Sequence, residues 1–192
     1  EHFSLPAPAK KINPMGRMLS NRGATLLELS RCRPVLVVFL RHSGCTFCHE
    51  AVADIAEQRE KIEALGTQIA IVHLGQKEPA DLLARHQLCD LHIFRDPSCS
   101  LYDTFGLSLA SFMQILGPSI WWRGIVAALK GHRVGGLEGN VFRMPGVFLL
   151  HEGRIVRAYR HQSAADRPDY AAMATLPPAE PKDACDPQPT AS

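Results

Sequence analysis

Residues 35–50 read VLVVFLRHSGCTFCHE, and the change of pattern inside this stretch decides the fold. Val35 to Leu40 is a continuous apolar run rich in β-branched types, the composition of a strand buried on both faces of a sheet. A short polar turn, Arg41 to Gly44, follows, and then Cys45 and Cys48 in C-x-x-C spacing. Beyond them the apolar period becomes helical. Val52, Ile55, Arg59 and Ile62 fall on one face, and Gly66 is a helix stop. Two thiols therefore sit where a buried strand ends and a helix begins. The unpaired N–H groups and positive dipole end of a helix favour an anion, so a thiolate is stabilised there.

Working outward, Gln68 to Leu74 (QIAIVHL) reads as a second buried strand. Strand, helix and strand at this spacing form a βαβ unit with parallel strands and a right-handed crossover. Pro79 to His86 is a short helix with Leu82, Leu83 and His86 on a common face, and Leu91 to Arg95 is a third strand. Asp96-Pro97 turns the chain into a brief helix through Leu101, Tyr102 and Phe105. Gly146 to Leu150 and Arg154 to Arg160 are two more strands, joined by a tight turn at Glu152-Gly153. A last helix spans Pro168 to Leu176, with Asp166 as its candidate cap. On the N-terminal side, Thr25 to Leu29 is a short apolar element leading to Pro34, which can begin a strand but not sit inside one. The expected organisation is a flexible arm over 1–14, one domain over 15–176 and a proline-rich disordered tail over 177–192. The segment Ser111 to Lys130, with Phe112, Trp121 and Trp122, is too apolar for a surface helix and is expected to cover an opening near the cysteines or to meet a partner.

Composition excludes several classes. The chain has 192 residues, with 46% hydrophobic and 21% charged residues, the range of a globular domain with a real core. A net charge of +2 argues against a nucleic-acid binder, and no apolar run approaches a membrane span. Six cysteines in a chain of this length do not make a disulfide framework, so a reducing, cytoplasmic setting is expected.

A strand, a C-x-x-C and then a helix is the order of a thioredoxin-type redox site. The element order as a whole resembles the thioredoxin fold as peroxiredoxins carry it: a three-layer α/β/α arrangement around a mixed central sheet. The closer resemblance is to the peroxiredoxin-like family related to selenoprotein L, within the alkyl hydroperoxide reductase/thiol-specific antioxidant superfamily. Three stretches carry it: FLRHSGCTFCHE at 39–50, FRDPSCSLYDTFGL at 94–107 and MPGVFLLHEGRIVRAYRHQSAADRPDY at 144–170. The resemblance implies that Pro145 is the cis-proline facing the active cysteines of thioredoxin-like proteins. One departure matters. Peroxiredoxins place a threonine three residues before the peroxidatic cysteine and a proline further upstream. Here Cys45 stands in the threonine position relative to Cys48, and Arg41 in the proline position. Thiol–disulfide chemistry is therefore implied more firmly than peroxide reduction.

The expected function is that of a thiol-based antioxidant oxidoreductase, reducing hydroperoxides or disulfides through Cys45 and Cys48 with electrons from thioredoxin or glutathione. Geometry favours Cys45 as the more exposed, attacking thiol, whereas the peroxiredoxin register gives that role to Cys48. Arg41, His42, Pro145 and Arg157 are the candidate supporting residues. No metal or organic cofactor is expected, and a homodimer is an open arrangement. Three other readings stand beside this one. A thioredoxin-type disulfide reductase without peroxidase activity uses the same pair. Cys45, Cys48, Cys89 and His92 have spacings that suit zinc in a non-enzymatic or redox-sensing protein. C-x-x-C-H, ending at His49, is also a haem attachment signature, but that reading calls for no buried strand ahead of it. Cys89 and Cys99, flanking the third strand, are expected as buried structural thiols.

Overall fold

The structure is a computed structural model and describes residues 13–41, 46–75, 79–107, 143–161 and 167–178. Strand β1, Val35–Leu40, is buried at all six positions, as a run apolar on both faces requires. It forms the middle of a mixed sheet of five strands in the order β3-β2-β1-β4-β5. Strand β2, Gln68–His73, lies parallel to β1, with Val35 opposite Gln68 and Leu40 opposite His73. Strand β3, His92–Arg95, lies parallel to β2, with His73 opposite Arg95. Strand β4, Gly146–His151, runs antiparallel to β1 and puts Gly146 opposite Phe39. Strand β5, Arg154–Arg160, returns antiparallel to β4. Glu152 (φ 50°) and Gly153 (φ 74°) are both left-handed, the backbone that a two-residue hairpin turn matched to strand twist requires.

Because side chains alternate along a strand, β1 feeds two cores. Val35, Val37 and Phe39 join one apolar cluster, and Leu36, Val38 and Leu40 the other. The first is closed by α1, Leu26–Cys32, by α4, Ser100–Thr104, and by a 3-10 turn at Pro14–Gly16. The second is closed by α2, Thr46–Ala64, by α3, Ala80–Arg85, and by α5, Tyr170–Met173. This is the expected three-layer α/β/α arrangement. Val52, Ile55 and Ile62 are fully buried along α2, and Gly66 (φ 76°) ends that helix in the left-handed conformation.

Several expectations change in detail. α1 runs on to Cys32, past the expected end at Leu29. A reciprocal capping box starts it, with Thr25 Oγ1 accepting from the Glu28 N–H (3.2 Å) and Glu28 Oε2 from the Thr25 N–H (2.8 Å). The last helix is shorter than expected. Its cap is Asp169, which accepts from the Ala172 N–H at 3.0 Å; Asp166 lies outside the described residues. Pro14 belongs to an ordered turn and not to the arm, because Asn13 caps that turn and Met15 is buried beneath α1 and α4. No cis peptide occurs among the described residues, so Met144–Pro145 is trans. Pro145 leads into β4 at a place where no N–H is needed, and its carbonyl accepts from the His161 N–H (3.3 Å). The trans form is the lower-energy one for an X-Pro bond. The segment holding Phe112, Trp121 and Trp122 lies outside the described residues, as do residues 179–192 of the tail.

Candidate functional site

The carboxyl ends of β1, β2 and β3 lie side by side at Leu40, His73 and Arg95, and the start of β4 joins them at Gly146. In open α/β sheets this edge is where the chain leaves the strands and where ligands bind. α2 begins here. Cys48 lies in its first turn and is buried, 4% exposed, in the core that holds Leu40 and Val52. Cys45 and His42 lie outside the described residues. Arg41, directly after β1, is buried, and its carbonyl accepts from the Leu74 N–H at 3.3 Å. Pro145 is buried at the start of β4. The edge thus brings together Arg41, Cys48 and Pro145. Arg157 is not at this edge: it sits opposite Leu149 in the interior of β5. Arg160, at the end of β5 and opposite Gly146, is the β5 arginine that reaches the edge. It donates to the Phe105 carbonyl (3.0 Å), and its guanidinium lies 5.3 Å from the Phe148 ring centre.

Asp96, expected in the turn after β3, and Tyr102, expected on the brief helix that follows it, organise this edge. Asp96 is fully buried. One of its carboxylate oxygens accepts from the Leu101 N–H (2.7 Å) and the Tyr102 N–H (3.2 Å), and the other from the Ser100 N–H (2.9 Å) and the Ser98 and Ser100 hydroxyls. It therefore satisfies the first N–H groups of α4, which no helical carbonyl can reach. Tyr102 follows on α4, fully buried, with its ring edge-on to Phe39 (4.9 Å between centres) and its hydroxyl donating to the Leu40 carbonyl. Burial pushes the Tyr102 phenol well above the usual tyrosine value. The charges of Cys48, Asp96 and Cys99 act in the same direction, and Arg41 opposes them. Sequence offered one signal for Asp96: an acid directly before proline at a strand end, followed by serines, is the composition of a capped turn.

The remaining cysteines divide. Cys99 is buried at the start of α4 with φ 59°, and burial pushes its thiol up although Arg143 opposes this. That is the environment of a neutral structural thiol. Cys89 is exposed, which corrects the expectation of a buried thiol: it follows α3 on the polar rim where Asp90 pairs with Arg59. His92 pairs in register with Ala70, at the opposite end of β3 from the cysteine edge, and its ring nitrogen bonds the Ser20 hydroxyl (3.0 Å). Cys89 and His92 are therefore not brought to Cys48. His49 is exposed. Among the described residues no group of three metal-ligating side chains is assembled, and no helix is long and apolar enough to cross a membrane.

His73 adds a pH dependence. Its side chain is 2% exposed, and its Nε2 has no hydrogen-bond partner among the described residues. Burial, with the charge of Arg95, pushes the imidazole from 6.5 down to about 4. Between those values the unfolded chain binds a proton that the folded chain refuses, so stability rises with pH. The contribution is complete above about pH 6.5 and is lost as pH falls toward 4, up to about 3 kcal/mol. A thermal melting series across this range should show a falling midpoint in the parent protein. His73→Leu should lose that part of the slope.

The chain matches the profile of the AhpC/TSA antioxidant enzyme family over residues 54–163, more than half its length and wholly downstream of the cysteine pair. It is 25% identical over 143 residues to peroxiredoxin-like 2A of Mus musculus, covering 73% of this chain and 64% of that protein. It is 25% identical over 76 residues to the chloroplastic thioredoxin-like protein AAED1 of Arabidopsis thaliana, covering 40% of this chain and 31% of that one. The alignments thus leave a third or more of each relative unmatched. Among solved structures, a mutant PrxQ of Xylella fastidiosa superposes with a TM-score of 0.56 at 12% identity, over 90% of this chain and 92% of that one, which shows the shared fold. The narrower likeness to the selenoprotein L-related branch rests on the motif stretches alone. With the sheet order, the helix start at the strand edge and the profile match in agreement, the chain belongs to the AhpC/TSA antioxidant enzyme family.

Proposed function

We propose that this protein is a thiol peroxidase-like oxidoreductase in which Cys45 attacks a hydroperoxide and Cys48 resolves the product. The Cys45 thiolate takes the terminal peroxide oxygen, becoming a sulfenic acid, and the alcohol leaves with a proton. The Cys48 thiol then displaces hydroxide from the sulfenic acid, which leaves as water, and the pair closes as a disulfide. A dithiol donor of the thioredoxin type, or two molecules of glutathione, returns it to the dithiol and is itself oxidised. A reducing, cytoplasmic setting suits that cycle. No metal or organic cofactor takes part in any step.

The observation that carries this reading is the burial of Cys48 in the first turn of α2, beside the end of β1. A buried thiol is poorly placed to meet a bulky substrate, which suits the resolving role better than the attacking one. The test is a peroxidase assay with a small hydroperoxide, first with dithiothreitol and then with thioredoxin as reductant. Turnover that depends on both cysteines supports the proposal. A second reading, disulfide reduction without peroxidase activity, is favoured by Cys45 standing in the threonine position of the peroxiredoxin site. Reduction of an insulin disulfide with no peroxide consumption would select it. Stoichiometric zinc in protein purified without chelator, together with no turnover in either assay, would replace both with the zinc-binding reading.

A further inference from the structure

We infer that Tyr102 is a positioning residue for the cysteine pair: its hydroxyl, bonded to the Leu40 carbonyl, fixes the end of β1 that leads toward the pair in the chain. The inference rests on the reading of Cys45 and Cys48 just given.

Leu40 is the last residue of β1, and the backbone then runs through Arg41 to the first turn of α2. Two ties hold that exit. On the β2 side, the Leu74 N–H donates to the Arg41 carbonyl (3.3 Å). On the α4 side, the Tyr102 hydroxyl donates to the Leu40 carbonyl. Tyr102 is itself placed with little freedom. Its own N–H and that of Leu101 are held by Asp96, and the Asp96 N–H donates to the His73 carbonyl at the end of β2 (2.9 Å). A continuous set of bonds therefore runs from β2 through Asp96 and α4 to the end of β1.

The hydroxyl is what needs explaining. Phenylalanine would fill the same space against Phe39 and would avoid burying a polar oxygen, a cost that only a hydrogen bond offsets. The hydroxyl has one proton, and that proton is committed to Leu40, so Tyr102 is not placed to hand a proton to sulfur or peroxide. It acts through the backbone. Leu40 itself lies in the core that holds Cys48, so the tie fixes the strand end that borders that thiol. Misplacement by an ångström or so at a reacting centre is enough to cost orders of magnitude in rate.

The test is Tyr102→Phe, with Phe105→Leu as a control. Phe105 packs on Phe39 in the same core (4.9 Å between ring centres) but makes no bond to the end of β1 that corresponds to the Tyr102 hydroxyl. Alkylation of Cys48 by iodoacetamide is followed against pH and resolved by peptide mass, so the readout needs no peroxide turnover. Tyr102→Phe should shift the pH profile of Cys48 alkylation and lower the peroxide rate roughly tenfold or more. Phe105→Leu should lower the melting temperature while leaving the alkylation profile in place. An unchanged profile in Tyr102→Phe, or an equal shift in Phe105→Leu, overturns the inference. Should Tyr102→Phe not fold, 3-fluorotyrosine at position 102 alters the donor while keeping the ring. An unchanged profile there overturns the inference equally. If no variant, nor the parent, turns over peroxide but the Tyr102→Phe shift is present, the peroxidase reading fails and the positioning role stands.

Discussion

Cys45→Ser is expected to lose peroxide reduction by roughly 10⁴-fold or more, the scale on which enzymes lose rate when their nucleophile is removed. Cys48→Ser is expected to behave differently. Its Cys45 still attacks, so one equivalent of peroxide should be consumed in a single burst and the enzyme should stop with Cys45 as a sulfenic acid. Offered a disulfide substrate instead, the same variant should stop as a mixed disulfide, because no second thiol is present to release the target. The contrast follows from the placement of Cys48, buried against Leu40 and Val52 on the first turn of α2, which suits resolution better than attack on an outside substrate. Intact-mass measurement of both variants after oxidant reads the difference. The reverse pattern, a trapped Cys45→Ser and a dead Cys48→Ser, would assign attack to Cys48, as the peroxiredoxin register suggests. Full activity in both would remove the pair from the chemistry.

The largest stability effect outside the apolar core is expected at Asp96. Removing its carboxylate in Asp96→Ala leaves the Leu101 and Tyr102 N–H groups, both buried, without an acceptor, and removes the cap of α4. Each orphaned buried donor costs about 1–3 kcal/mol, so the sum is about 2–6 kcal/mol, read as a lower urea midpoint. Asp96→Asn keeps one acceptor oxygen and should lose less. Because Tyr102 loses its anchor too, the Asp96→Ala protein that remains folded should also show the altered Cys48 alkylation expected of Tyr102→Phe.

How much of this was legible beforehand depends on the kind of signal. Val35 to Leu40 and Gln68 to His73 are unbroken apolar runs, and burial on both sheet faces is the arrangement that removes all of those side chains from water. The hairpin at Glu152-Gly153 is equally local, since the turn needs left-handed backbone and glycine takes it at no steric cost. The site was legible only as a place. C-x-x-C between strand and helix marks the edge, and the structure puts Cys48 there. The residues around it answer to contacts distant in sequence. Tyr102 reads as one more core aromatic until its hydroxyl meets Leu40, across 62 residues of chain. Arg157 and Arg160 look alike in a strand of mixed exposure, and only pairing with β4 shows that Arg160 reaches the edge. The last helix begins later than the expected Pro168 because Asp169 caps it at the Ala172 N–H, and the short helix that follows packs on α2. The cis-proline came from family likeness and not from any local signal, and the β4 entry adopts the ordinary trans form.

Peptide mapping after a stoichiometric hydroperoxide pulse tests whether Cys45 and Cys48 are the redox pair. Thiols still free are blocked by alkylation at the end of the pulse, and the cysteine-bearing peptides are then assigned by mass. A single intramolecular disulfide between Cys45 and Cys48 is expected, reversed by dithiothreitol, with Cys32, Cys89 and Cys99 alkylated as free thiols. Peroxide consumed while Cys45 and Cys48 are both alkylated, or oxidation appearing at Cys99 instead, would contradict it.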